Sequence, residues 1–255
     1  GCRRAARAPH LRVAGVIEWL RDTRDPPAIE LAGRRVPIAL NRNARARRLT
    51  LRLAPDGSAV RITLPQWCRS QDAVAFALAR QVWLEAQLAK VPAPIDPVAR
   101  GTLRYRGEEL AIDWRPDAPR KPRLDGGRLT LGGARETLGK RLQRWLESEA
   151  RRLMAADLVH YCATAGVAAP ELRLTRAGRR WGSCSTQGIV RINWRLAMAP
   201  DFVRRSVVAH EVAHLVHFDH SPAFHTLLAC IYEGDIAEAD AWLRTHGRSL
   251  YADFG

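Results

Sequence analysis

Apolar residues in this chain follow two rhythms. Between Arg47 and Pro65, "RRLTLRL" and "AVRITLP" alternate apolar and polar residues on either side of "APDGS". A period of two predicts strands, and Asp56-Gly57 between the two runs predicts a hairpin. The rhythm then lengthens. In "SQDAVAFALARQVWLEAQLAKV", Ala73, Phe76, Ala77, Trp83, Leu84 and Leu88 recur near helical spacing, with Ser70 as the expected cap and Asp72 in the first turn. "VPAPIDP" stops that helix. "GTLRYRGEELAIDWRPD" and "PRLDGGRLTLGG" predict two more strand pairs, each turning on glycine.

The second half is mostly helical. The longest helical pattern runs from about Glu136 to Cys162, with Gly166 as its stop. "ELRLTRAGRRWGSCSTQGIVRINWRLAMAP" predicts strand, turn, strand, and in "GIVRINWRL" Val190, Ile192 and Trp194 share one face. Three helices follow: "DFVRRSVVAHEVAHLVH" opened by Asp201, "SPAFHTLLACIY" opened by Ser221 and Pro222, and "DIAEADAWLRTHGRSLY". The order of elements predicts an α+β protein. Residues 1–33, polar and broken by proline, are expected to be a mobile appendage. Residues 34–133 are expected to form a β-rich module with one helix, and 134–255 a second domain.

Candidate chemistry is concentrated in that second domain. Five of the eight histidines lie between His210 and His225. His210, Glu211 and His214 spell H-E-x-x-H within a helical pattern. Positions i and i+4 share a helix face, so two imidazoles can reach one ion, while the intervening glutamate can take a proton from metal-bound water. Catalytic zinc usually takes three protein ligands. His220 is the leading third candidate, because Ser221-Pro222 ends the helix before it and a turn can swing it back. Glu233, Glu238 and His217 are its rivals. The flanking Ala209, Val212 and Ala213 predict burial, and buried ionisable groups are costly unless something satisfies them. A bound metal ion meets that demand.

Composition narrows the setting. Hydrophobic residues make up 47% and charged residues 26%, which is ordinary for a globular protein. No apolar run approaches the ~18 residues of a spanning helix, and the arginine-rich start lacks the apolar core of a signal peptide. Five scattered cysteines with no CxxC pair argue against a disulfide scaffold and fit a cytoplasmic protein. The formal charge is +15, but residues 200–255 hold four arginines against eight acidic residues. The positive charge therefore lies in the N-terminal part. It predicts mainly arginine-studded solvated faces and leaves room for weak nucleic-acid binding.

The stretch from Arg179 to His225 resembles the YgjP-like, SprT-related zinc metallopeptidases. It carries W-G-S-C-S, a strand ending N-W-R-L, H-E-x-x-H and H-S-x-x-F. The likeness continues more weakly over the hairpin near Asp56 and the long helix. It departs at Val212, where leucine is usual, and at His225, where tryptophan is usual. The resemblance implies a zincin-like domain with the histidine helix beside a β-sheet and Zn2+ on His210, His214 and His220, with Glu211 as general base in the hydrolysis of peptide or protein substrates. "GIVRINWRL" is expected to be the sheet edge on which a peptide docks, with Gly182 allowing a bend before it. Arg179, Arg180, Tyr232 and His225 are candidate oxyanion stabilisers. Cys184 and Trp181 are expected to pack. Two other readings stand beside this one: a DNA-associated protease of SprT type, and a non-catalytic zinc-binding module.

Overall fold

The computed structural model describes residues 27–93, 95–178 and 180–254, and the chain forms two compact units divided between Lys90 and Val91. The architecture is α+β. Among the described residues, no helix is long and apolar enough to cross a membrane.

The first unit holds β1 (Ala28–Leu31), β2 (Arg34–Arg42), β3 (Thr50–Leu53), β4 (Val60–Leu64), α1 (Ser70–Leu78) and α2 (Gln81–Leu88). The sheet runs β1-β2-β4-β3, with β2 and β4 parallel and the outer pairs antiparallel. Alternation sets its buried face: Ile29, Leu31, Val36, Ile38, Val60, Ile62 and Leu64 all point into the core. The expected hairpin is present. The Ala54 N–H donates to the Ala59 carbonyl at 2.8 Å, and Asp56 accepts from the Ser58 N–H at the turn.

Three expectations are corrected here. The supposed appendage does not extend to residue 33, because Ile29 and Leu31 are buried on β1; residues 1–26 lie outside the described residues. The single helix after β4 is two, since Arg80 leaves helical geometry at φ −115°, ψ 18°. Ser70 and Asp201 are first helical residues rather than caps. Arg69 and Pro200 hold the cap positions, while the Ser70 hydroxyl accepts from Arg42 and Asp201 pairs with Arg106 and Arg204.

The second unit opens with α3 (Pro97–Arg100), capped by the Asp96 carboxylate. It continues with β5 (Thr102–Tyr105), β6 (Glu108–Trp114), β7 (Arg123–Asp125) and β8 (Arg128–Leu131), in a sheet of order β5-β6-β8-β7. These strands, grouped with the N-terminal module in the sequence reading, share a core with α4 (Leu138–Ala165) instead. Leu103, Tyr105, Leu129 and Leu131 belong to the same apolar cluster as Leu138, Leu142, Leu146 and Ala150 of that helix. Spacings of four along α4 create the stripe they pack on. Gly166 ends α4 at φ 69°. Its N–H and that of Val167 donate back to Ala163 and Cys162, which satisfies carbonyls the helix leaves over.

The remaining elements surround the histidines. β9 (Leu172–Thr175), β10 (Gly182–Cys184) and β11 (Val190–Asn193) form a sheet of order β10-β11-β9. A 3-10 turn, Trp194–Ala197, leads to α5 (Asp201–Val216), α6 (Pro222–Ile231) and α7 (Ile236–His246). α5 packs on α4, Val203, Val207 and Val208 belong to the shared apolar core, and buried Arg204 pairs with Asp157 of α4 at 2.7 Å. On another side α5 meets β10. The helix is thus held on several sides, which fixes where its side chains point.

Candidate metal centre

The centre is built on the last turns of α5. Ala209, Val212 and Ala213 are fully buried, and their small volume lets α5 sit close to its neighbours. His210 and His214 are half-buried on the face between the buried stripe and solvent. α5 ends at Val216, and His217 turns off with φ −125°, ψ 109°. Ser221 then caps α6 by accepting from the Phe224 N–H, with Pro222 at the first helical position. The turn between these two ends carries His220 back to α5.

One nitrogen from each of His210, His214 and His220 lies within 4.8 Å of the others. The Nε2 atoms of His210 and His220 are 3.3 Å apart. Nitrogens ~2.0–2.1 Å from one tetrahedral zinc ion would sit roughly 3.3 Å from each other. Protonation also fits. His214 Nδ1 is 3.0 Å from the His217 carbonyl, which can only accept, so Nδ1 carries the proton and Nε2 is left with a lone pair. Burial, helped by repulsion from His214, His220 and His225, pushes His210 down to about 4, which keeps that ring neutral near pH 7. Phe224, fully buried, forms the apolar wall behind the cluster, with ring centroids 5.0, 4.6 and 4.8 Å from His210, His214 and His220. The donor set fits a divalent transition metal.

Glu211 points inward, only 5% exposed. Burial raises its carboxyl to about 7, against the opposing pull of Arg180 and the Cys184 backbone N–H. Its Oε2 has no hydrogen-bond partner among the described residues. An unpartnered buried carboxylate oxygen costs stability.

The rivals for third ligand stand outside the cluster. Glu233 accepts from the Tyr161 hydroxyl at 2.9 Å and pairs with Arg205 at 2.5 Å. Glu238 lies in the first turn of α7, its N–H given to the Asp235 carboxylate. His217 contributes its carbonyl, not its ring. The structure therefore gathers His210, His214 and His220 and leaves the other three out of the cluster.

The model of the YgjP-like metallopeptidase domain matches residues 47–246. The chain belongs to the YgjP-like family. Comparison with curated proteins and with solved structures gives no significant match. The matched span begins just before β3 and ends with α7, so it takes in β3, β4 and both helices of the first unit as well as the histidine helix.

For this YgjP-like domain, other expected residues are also placed. β11 is not a sheet edge. It is the central strand, paired with β9 on one side and β10 on the other, so its backbone donors are used in the ladders. Among the described residues, β10 is an edge strand of this sheet, and it lies against α5. Of the oxyanion candidates, Tyr232 is buried and gives its hydroxyl to the Phe202 carbonyl at 2.8 Å. Arg179 lies outside the described residues, while Arg180 and His225 are exposed. The Cys184 thiol is pushed up by burial and by the Glu211 charge, which suits packing and not nucleophilic attack. Trp181 packs on Tyr251, with ring centroids 5.6 Å apart.

Phe224 was not singled out by sequence reasoning, although the H-S-x-x-F pattern contains it. Phe224→Ala is expected to destabilise the protein by about 3–5 kcal/mol in urea unfolding. It should also weaken metal binding by roughly 10–100-fold, the range seen when a group supporting the ligands is lost. Unchanged metal affinity would show that the wall does not hold the imidazoles.

Proposed function

We propose that this chain is a zinc-dependent peptidase in which His210, His214 and His220 hold the ion and Glu211 is the general base. The observation that carries this reading is the meeting of three imidazole nitrogens within 4.8 Å on a helix whose intervening glutamate is buried. Bound there, zinc would supply an acidified water and a Lewis acid for the scissile carbonyl.

The protein's own groups do the rest. His214 is oriented by the His217 carbonyl, so its lone pair is fixed without rotation of the ring. Glu211 Oε2, free of partners among the described residues, takes the proton from water and hands it to the leaving nitrogen. The hydrophobic surroundings of α5 restrict water around that carboxylate, and proton transfer to it is favoured over full hydration. The half-buried outer edge of β10, which has no paired strand among the described residues, would dock an extended peptide through its main chain, a mode that binds backbone and tolerates varied side chains.

The test is hydrolysis of a mixed peptide library by the purified 255-residue chain, followed by mass spectrometry. New termini are expected with zinc, none after treatment with a chelator, and recovery on zinc addition. A chain that carries one zinc ion and cleaves no peptide would support the non-catalytic reading instead.

A further inference from the structure

Gly182 raises a question that the hydrogen-bond ladder does not answer. It is a strand residue, paired with Ile192 across the β10–β11 ladder, and its φ is not in the left-handed region that favours glycine. The sequence reading made it a bend, and the structure does not. Glycine inside a strand costs conformational entropy and gives no side chain to pack, so its presence there commonly marks a close approach by another group. That group is Glu211. A Cβ built on Gly182 would lie 2.4 Å from Glu211 Oε1, 2.7 Å from Cγ and 2.8 Å from Cδ, and these are its three nearest atoms. All three distances are shorter than non-bonded contacts allow.

We propose that Gly182 is a positioning residue for Glu211: the bare Cα of β10 leaves the space that the carboxylate occupies, and so sets where it stands. The neighbouring geometry completes the cradle. β10 packs on α5, so the strand cannot easily retreat, and the Cys184 backbone N–H two residues along donates to the carboxylate. Glu211 is 5% exposed, which leaves its side chain little room to move aside. A methyl group at 182 would therefore displace the carboxylate before it displaced the backbone. None of the three nearest atoms that the Cβ meets belongs to His210, His214 or His220.

The inference rests on Glu211 as general base for its effect on activity, but the contact can be tested without activity. Four full-length proteins are compared: the parent, Gly182→Ala, Glu211→Ala and the double variant. Melting temperature, bound zinc and steady-state peptide hydrolysis are measured for each. Gly182→Ala is expected to keep one zinc ion per chain and to melt about 3–8 °C lower, as overpacking in a chain of this size implies. Its kcat should fall about 100-fold or more with KM little changed, the pattern of an interaction lost in the transition state.

In the Glu211→Ala background the obstructing atoms are gone, so Gly182→Ala should cost little further melting temperature. An equal loss in both backgrounds overturns the proposal, because the added methyl group would then be meeting something other than Glu211. If Gly182→Ala fails to fold, the double variant decides: a folded double variant supports the contact, and an unfolded one beside a folded Glu211→Ala refutes it. If the parent cleaves no peptide, the peptidase assignment fails while the melting cycle still tests the contact.

Discussion

Glu211→Gln is expected to keep one zinc ion per chain and to lose peptide hydrolysis by about 10²–10⁴-fold, the usual contribution of a general base. The substitution keeps side-chain length and shape, so the buried slot against β10 remains filled. What it removes is the basic lone pair on Oε2, the oxygen without a partner among the described residues. The metal should stay, because the nitrogens that converge are those of His210, His214 and His220 and no oxygen of Glu211 joins them. The loss should appear in kcat with KM nearly unchanged, since the proton is moved in the transition state and not on binding. Elemental analysis and steady-state kinetics on the same preparation measure both halves. Hydrolysis at the parental rate would remove Glu211 from the mechanism.

The second large effect concerns the ligands. His210→Ala, His214→Ala and His220→Ala should each weaken zinc binding by more than about 100-fold, beyond what loss of an outer-sphere partner costs. Glu233→Ala and His217→Ala should retain the ion. Glu233 is occupied by Tyr161 and Arg205, and His217 supports the site through a carbonyl that alanine also possesses. Competition against a chromophoric chelator gives the affinities. Thermal unfolding gives an independent reading, because an ion that binds only the folded state raises the melting temperature in proportion to its affinity. Zinc loss in Glu233→Ala with retention in His220→Ala would reverse the assignment.

The histidine helix was legible because its logic is local. The i, i+4 spacing of His210 and His214 and the proline stop after His220 are both written within one short segment, and no distant partner is needed to read them. The long helix with its Gly166 stop was legible for the same reason. What the sequence concealed depends on distant pairing. "GIVRINWRL" alternates as an edge strand would, and only the parallel partner β9 and the antiparallel partner β10 reveal it as central. β1 was hidden because two apolar residues, Ile29 and Leu31, beside two prolines make too short an alternation to stand out. The break at Arg80 was invisible because Ala77 and Leu84 keep a seven-residue spacing in the sequence whether or not the helix is continuous. Gly182 looked like a bend, since nothing in its neighbours shows that a carboxylate 29 positions away comes to rest on it.

The turn between α5 and α6 has a consequence for how this protein can vary. Both of its ends are fastened, one by the His217 carbonyl on the His214 ring and the other by the Ser221 cap. The chain between them works as a ruler of fixed length. One added residue contributes up to ~3.3–3.6 Å of reach, as much as the 3.3 Å that separates the His210 and His220 nitrogens. A glycine inserted after Phe218 should therefore release His220 and the ion with it, whereas Phe218→Ser, at a side chain 56% exposed, should leave zinc affinity within about twofold of the parent, as substitutions on open surface do. Natural variants of this segment should accordingly differ in spelling and agree in length.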